Sequence, residues 1–230
     1  MTRRLFLDTE TYSETPISAG TYRYAETVEV MLLAWAIDDG PVSVLDLTAA
    51  HETPRELLDA LADPSVEVWA HNAQFDRTVM RHALPDLCPP LARWRCTMVQ
   101  AYMHSLPGSL DKLCAVLQVP QDQRKLKTGK DLVRLFCMPR PKGHKLRRAT
   151  RTTHPDEWAS FVEYAGGDIV SMRACLGRMP AWNATPREWA LWHLDQRIND
   201  RGMQIDRDLV AGAIRAASAA QARWPSAPRC

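Results

Sequence analysis

A chain of 230 residues with 46% hydrophobic and 24% charged positions has the make-up of a soluble folded protein with one substantial core. No apolar run approaches bilayer length, and the opening MTRRLFLDTE lacks a signal-peptide core, so membrane-spanning and exported classes are not expected. The net charge of +2 hides a segregation: Arg124 to Arg151 holds eleven Lys/Arg against one acid, Asp131, giving that stretch +10 and the remainder −8. A block of this kind raises the local potential towards a polyanion, and nucleic acid is the expected partner. The six cysteines are scattered without a C-x-x-C pair or zinc spacing, and read as reduced thiols of a cytoplasmic protein.

LFLDTE (5–10) reads as a buried strand. MLLAWAID (31–38) and VSVLDL (42–47) read as two more, joined by a hairpin at Asp38-Asp39-Gly40-Pro41. TPRELLDALAD (53–63) has helical spacing at Leu57, Leu58 and Leu61, with Thr53 as its cap and Pro54 at the first position. VEVWA (66–70) is a short strand, and AQFDRTVMRHAL (73–84) a helix capped by Asn72 and ended by Pro85. After the linker PDLCPPLARW, helices are expected near 96–104, over 109–119 with Ser109 as cap, and over 127–137. The Pro-, Gly- and Arg-rich stretch 138–154 reads as a mobile loop. Helices follow at 155–179, 186–200 and 208–223. Strands that come early and alternate with helices predict an α/β layer architecture.

Four acids stand out. Asp8 and Glu10 lie two apart on a strand, so their side chains share a face, where like charges repel unless a cation or proton intervenes. Asp76 lies in the first turn of its helix, where the dipole tolerates a negative charge. Asp168 follows Tyr164 by one turn, so the two share a helix face. Taken singly, each has a plain reading: solvated strand-end acids, a dipole acid, a half-buried helix tyrosine. Gly166 and Gly167 lie between Tyr164 and Asp168, each at a cost of roughly 1 kcal/mol relative to Ala in a helix interior. Their retention implies a close approach to that backbone.

Taken together, Asp8-x-Glu10 at a strand end, His71-Asn72-x-x-Phe75-Asp76 and Tyr164-x-x-x-Asp168 form an ordered set over Leu5 to about Met179. This set resembles the DEDD superfamily of 3′–5′ exonucleases, in its tyrosine-bearing branch. Gly20-Thr21-Tyr22-Arg23-Tyr24-Ala25-Glu26, LPGSLDKL (106–113), KTGKDLVRLF and WHLDQRINDRGMQID (192–206) look more closely like the amino-terminal part of phage and prophage family A DNA polymerases. The resemblance implies an RNase H-like fold, a mixed sheet flanked by helices, over residues 1–182, with the basic loop at 138–154. Residues 183–230 would form a helical C-terminal extension, similar to the start of a polymerase domain.

For function, the resemblance implies metal-dependent 3′–5′ hydrolysis at the 3′ end of single-stranded or frayed DNA, releasing nucleoside 5′-monophosphates. Asp8 would bridge two divalent cations, Mg²⁺ or Mn²⁺. Glu10 and Asp168 would hold the ion that binds the attacking water, and Asp76 would support the second. Tyr164 would orient the water, since a tyrosine's ordinary pKa of about 10 makes it a poor base. Thr11, Asn72 and Phe75 match positions near the terminal nucleotide, although Phe75 reads first as core. Lys125, Lys127, Lys130, Lys145, Arg147 and Arg148 would hold the phosphate backbone without sequence preference. The apolar wedge of cellular members is missing from Ser13-Glu14-Thr15-Pro16 or placed elsewhere. No palm motifs are present, so polymerisation is not expected of this chain, and a separate polymerase chain is a candidate partner. An RNA-trimming enzyme shares every motif, and a non-catalytic nucleic-acid-binding remnant of a prophage is the alternative outside enzymes.

Overall fold

The computed structural model describes residues 2–49, 52–123, 129–141 and 143–223. Five strands form one sheet in the order β3-β2-β1-β4-β5. The central strand β1 (Arg4–Tyr12) runs antiparallel to β2 (Glu29–Ile37) and parallel to β4 (Glu67–Ala70). On the flanks, β3 (Ser43–Asp46) is antiparallel to β2, and β5 (Trp94–Cys96) is parallel to β4. Leu5, Phe6 and Leu7 are buried, as expected of a strand covered on both faces. The hairpin between β2 and β3 turns where expected. Asp38 takes a left-handed conformation, and a Cβ at Gly40 would stand 2.9 Å from the Ile37 carbonyl oxygen.

Helices cover the sheet. The long helix α7 (Pro155–Arg178) packs against β1, β2 and β3, and α3 (Ala73–Ala83) packs against β1, β2, β4 and β5. The others of this unit are α1 (Thr21–Ala25), α2 (Arg55–Ala62), α4 (Thr97–Met103), α5 (Leu110–Val116), α6 (Gly129–Phe136) and the start of α8 (Pro186–Arg201). The chain divides into two compact units, Met1–His193 and Leu194–Cys230. The second contains the end of α8 and α9 (Arg207–Arg223), a helix that buries no side chain. Among the described residues no helix is long and apolar enough to cross a membrane.

Several local expectations are corrected. Strand β5 spans the join between the stretch read as a linker, which ends at Trp94, and the helix expected near 96–104, and α1 lies where no helix was expected. Thr53 does not cap α2, because Pro54 occupies the N-cap position. Asn72 and Ser109 stand at N-caps, but neither side chain bonds a backbone amide; Asn72 turns the chain through a left-handed backbone instead. The loop after α6 is tied down by ion pairs Arg147–Glu14, Arg148–Glu29 and Arg151–Asp46, so it is anchored rather than loose.

Neither Gly166 nor Gly167 inside α7 is required by crowding. A Cβ at Gly167 meets nothing within 4 Å, and one at Gly166 meets Val42 and Val44 side chains at an ordinary 3.6 Å. Gly167→Ala is therefore expected to stabilise the protein by about 1 kcal/mol, the helix-propensity difference alone. Thermal unfolding should show a rise of about 2–4 °C, and a fall would mean that something does approach this backbone.

Candidate active site

The strand order decides where the acids meet. β1 and β4 run parallel, so their carboxyl ends lie on one side of the sheet, and ligands of open α/β sheets bind beyond such ends. Asp8 and Glu10 lie past the end of β1's pairing with β4 at Phe6, opposite Ala34 and Leu32 of β2. A bulge between Glu10 and Thr11 then shifts the register, re-aiming the strand directly beside these acids. Asp168 comes from the face of α7 that covers the sheet.

These three carboxylates converge. Asp8, Glu10 and Asp168 each offer an oxygen, and the three lie within 4.8 Å of one another. Glu10 and Asp168 are buried, and Asp8 is half-buried. Three carboxylates this close repel one another. A divalent cation among them relieves the repulsion, and an all-carboxylate donor set suits Mg²⁺ or Mn²⁺ better than softer metals.

Asp76 stands outside that group. Its Oδ1 accepts hydrogen bonds from the Thr9 backbone N–H at 3.1 Å and the Thr9 hydroxyl at 2.8 Å. Burial pushes the Asp76 carboxyl up to about 7; the Thr9 bonds oppose the rise, and the charge of Asp168 adds to it. Asp76 is thus poised beside the cluster, held by the residue between the two β1 acids. Sequence reasoning passed over Thr9, because a side chain on the opposite strand face gives no signal until α3 is in place.

Tyr164 is buried one helical turn before Asp168. Its ring lies 6.3 Å from Phe161 with the planes 9° apart, and Phe161 stacks on Phe136 at 5.1 Å. Cys137, just past α6, donates its thiol proton to Glu10 Oε2 at 3.7 Å. Burial, then the Glu10 charge, pushes that thiol well up, so it stays protonated and remains a donor. Cys137 was also overlooked, having read as one scattered thiol among six.

The expected nucleic-acid contacts lie in several places. Thr11 is buried with its hydroxyl 2.7 Å from the Tyr24 hydroxyl, and the Phe75 ring packs 5.8 Å from Tyr24. Burial pushes Tyr24 up to about 12, so it remains a neutral phenol. Asn72 is exposed at the start of α3. Lys130 and Lys145 are exposed, while Lys125 and Lys127 lie outside the described residues. Arg147 is paired with Glu14, and Arg148 is paired with Glu29 while lying 4.0 Å over the Tyr12 ring. Tyr12 and Glu14 continue the chain from Glu10, so these pairs fasten the basic loop next to the acids.

No protein-family model matches the chain. It is 38% identical over 220 residues to the DNA polymerase of Bacillus phage SP02, covering 92% of this chain. The chain is homologous to that phage polymerase. It spans about a third of the relative's length (33%), so the relative's full activity is not transferred by the match. Among solved structures, Brucella melitensis NrnC aligns with 16% identity over 84% of this chain and 81% of its own, with a TM-score of 0.52. NrnC with bound Mg²⁺ aligns over the same shares at 16% identity and a TM-score of 0.51. The mixed five-stranded sheet with flanking helices is the fold of the RNase H-like DEDD exonucleases.

Proposed function

We propose that this chain is a metal-dependent 3′–5′ exonuclease of the tyrosine branch. It would remove nucleoside 5′-monophosphates one at a time from the 3′ end of single-stranded or frayed DNA. The convergence of Asp8, Glu10 and Asp168 within 4.8 Å, with Tyr164 one turn away, carries this reading. Homology to a phage DNA polymerase favours DNA as the substrate, and the Mg²⁺-bound state of NrnC supports a divalent cation.

A pair of divalent cations, when bound, supplies an activated water and neutralises charge on the leaving oxygen. The chain's own residues do the remainder. Asp8, Glu10 and Asp168 would hold the cations, and Asp76, bonded by Thr9, would support the second of them. The Tyr164 hydroxyl orients the attacking water by hydrogen bonding. The Cys137 thiol donates to Glu10 and would help hold that carboxylate in place for a cation. Exposed Lys130 and Lys145 hold the phosphate backbone, with Arg147 and Arg148 able to exchange Glu14 and Glu29 for phosphate. A polymerase carried on a separate chain would place the growing 3′ end within reach.

DNA and RNA oligonucleotides of one sequence, labelled at either end, test this reading with and without EDTA. A 5′ label should yield a descending one-nucleotide ladder, a 3′ label should appear at once as mononucleotide, and EDTA should stop both. Internal cuts, or no product with Mn²⁺ or Mg²⁺, would overturn it. Faster loss of the RNA strand would move the substrate to RNA.

A further inference from the structure

Gly129 opens α6 and lies against Tyr164. A Cβ placed there would stand 1.9 Å from Tyr164 Cε2, 2.5 Å from Cδ2 and 2.7 Å from Cζ. Gly129 is buried and is absent from the positive-φ positions, so its backbone conformation suits any residue. The tyrosine ring demands glycine here. The ring has little freedom to retreat, because it stacks on Phe161, and Phe161 stacks on Phe136 at the far end of α6. Phe136 is fully buried and meets Trp158 edge-on at 4.9 Å. One helix therefore bears on Tyr164 twice, directly through Gly129 and through the Phe136–Phe161 stack.

We propose that Gly129 is a positioning residue: by giving the Tyr164 ring room against α6, it sets the place of the hydroxyl that orients the attacking water. This rests on the role assigned to Tyr164 above, and adds that the first residue of α6 governs it. Any side chain at 129 displaces the ring or lifts the helix, and a 1 Å error in a reacting group costs heavily in rate. The three clustered carboxylates lie on β1 and α7, so a change at 129 leaves their donor set whole.

Kinetics of Gly129→Ala, Tyr164→Phe and the double variant test this on a 5′-labelled DNA oligonucleotide. Gly129→Ala is expected to lower kcat at least tenfold with KM and the Mg²⁺-induced rise in Tm unchanged. In the Tyr164→Phe background, which itself loses at least tenfold, adding Gly129→Ala should change kcat less than twofold. Phe136→Leu loosens the stack while keeping the α6 backbone, and should lower kcat with the same dependence on Tyr164. Equal losses in both backgrounds, or a silent Gly129→Ala, would overturn the positioning role while leaving the nuclease reading intact. Full activity in Tyr164→Phe would instead remove the tyrosine's role, and the positioning with it. A readout independent of turnover is the ¹⁹F resonance of 3-fluorotyrosine placed at 164. Gly129→Ala should shift it, and an unmoved resonance refutes the contact.

Discussion

Asp8→Ala or Asp168→Ala should each lower hydrolysis by about a thousandfold or more while leaving the fold intact. Each removes a carboxylate from a group whose oxygens lie within 4.8 Å of one another, so the cation site is left incomplete. Charge stabilisation by bound metal is worth several kcal/mol, and about 4 kcal/mol corresponds to roughly a thousandfold in rate. Stability should move the other way. Removing one of three crowded acids relieves repulsion in the metal-free protein, so its Tm in EDTA should hold or rise. Wild-type protein should gain Tm on adding Mg²⁺, because an ion that binds only the folded state stabilises it, and the variants should gain little. Rates on a labelled oligonucleotide, with melting curves at several Mg²⁺ concentrations, measure both effects. Undiminished hydrolysis in a clean preparation of either variant would end that residue's role in holding the cations.

Phe161→Ala carries the largest expected loss of stability. Its ring is fully buried, stacked between Phe136 and Tyr164 and set at 5.6 Å to Trp158. Truncating a buried phenylalanine costs about 3–5 kcal/mol, through lost transfer energy and the cavity left behind. In a chain of this length that corresponds to a fall in Tm of about 10 °C, readable by circular dichroism. Hydrolysis should fall as well, since Tyr164 loses the ring it stacks on. A cost below about 1 kcal/mol would show that the aromatic cluster closes over the gap, and the bracing of Tyr164 would then need another source.

Much of the architecture is legible in the residues. Apolar runs at 5–7 and 31–37, the turn at Asp38-Asp39-Gly40-Pro41 and the 3.6-residue stripe of α2 each point to the element found. Their physics is local: strand burial, turn chemistry and amphipathic spacing. β5 escaped because three residues carry no period, and it is a strand only because β4 offers an edge for Trp94–Cys96 to pair with. The helix caps were legible in part. Asn72 and Ser109 stand at the N-caps expected of them, without a side-chain bond to the helix, whereas Pro54 takes that position in place of Thr53. Gly166 and Gly167 of α7 misled, since a cost in propensity says nothing about what stands opposite.

For the site, order and type of the acids are properties of the sequence, because Asp8 and Glu10 share a strand face and Tyr164 and Asp168 a helix face under any packing. Those spacings name the acids without bringing them together. Only the folded chain decides that Asp8, Glu10 and Asp168 meet, that Thr9 holds the Asp76 carboxylate, and that Cys137 and Gly129 bear on Glu10 and Tyr164. Helix and strand periods act over a few residues, whereas these contacts join positions 35 to 160 apart and depend on sheet order and on how α6 and α7 pack.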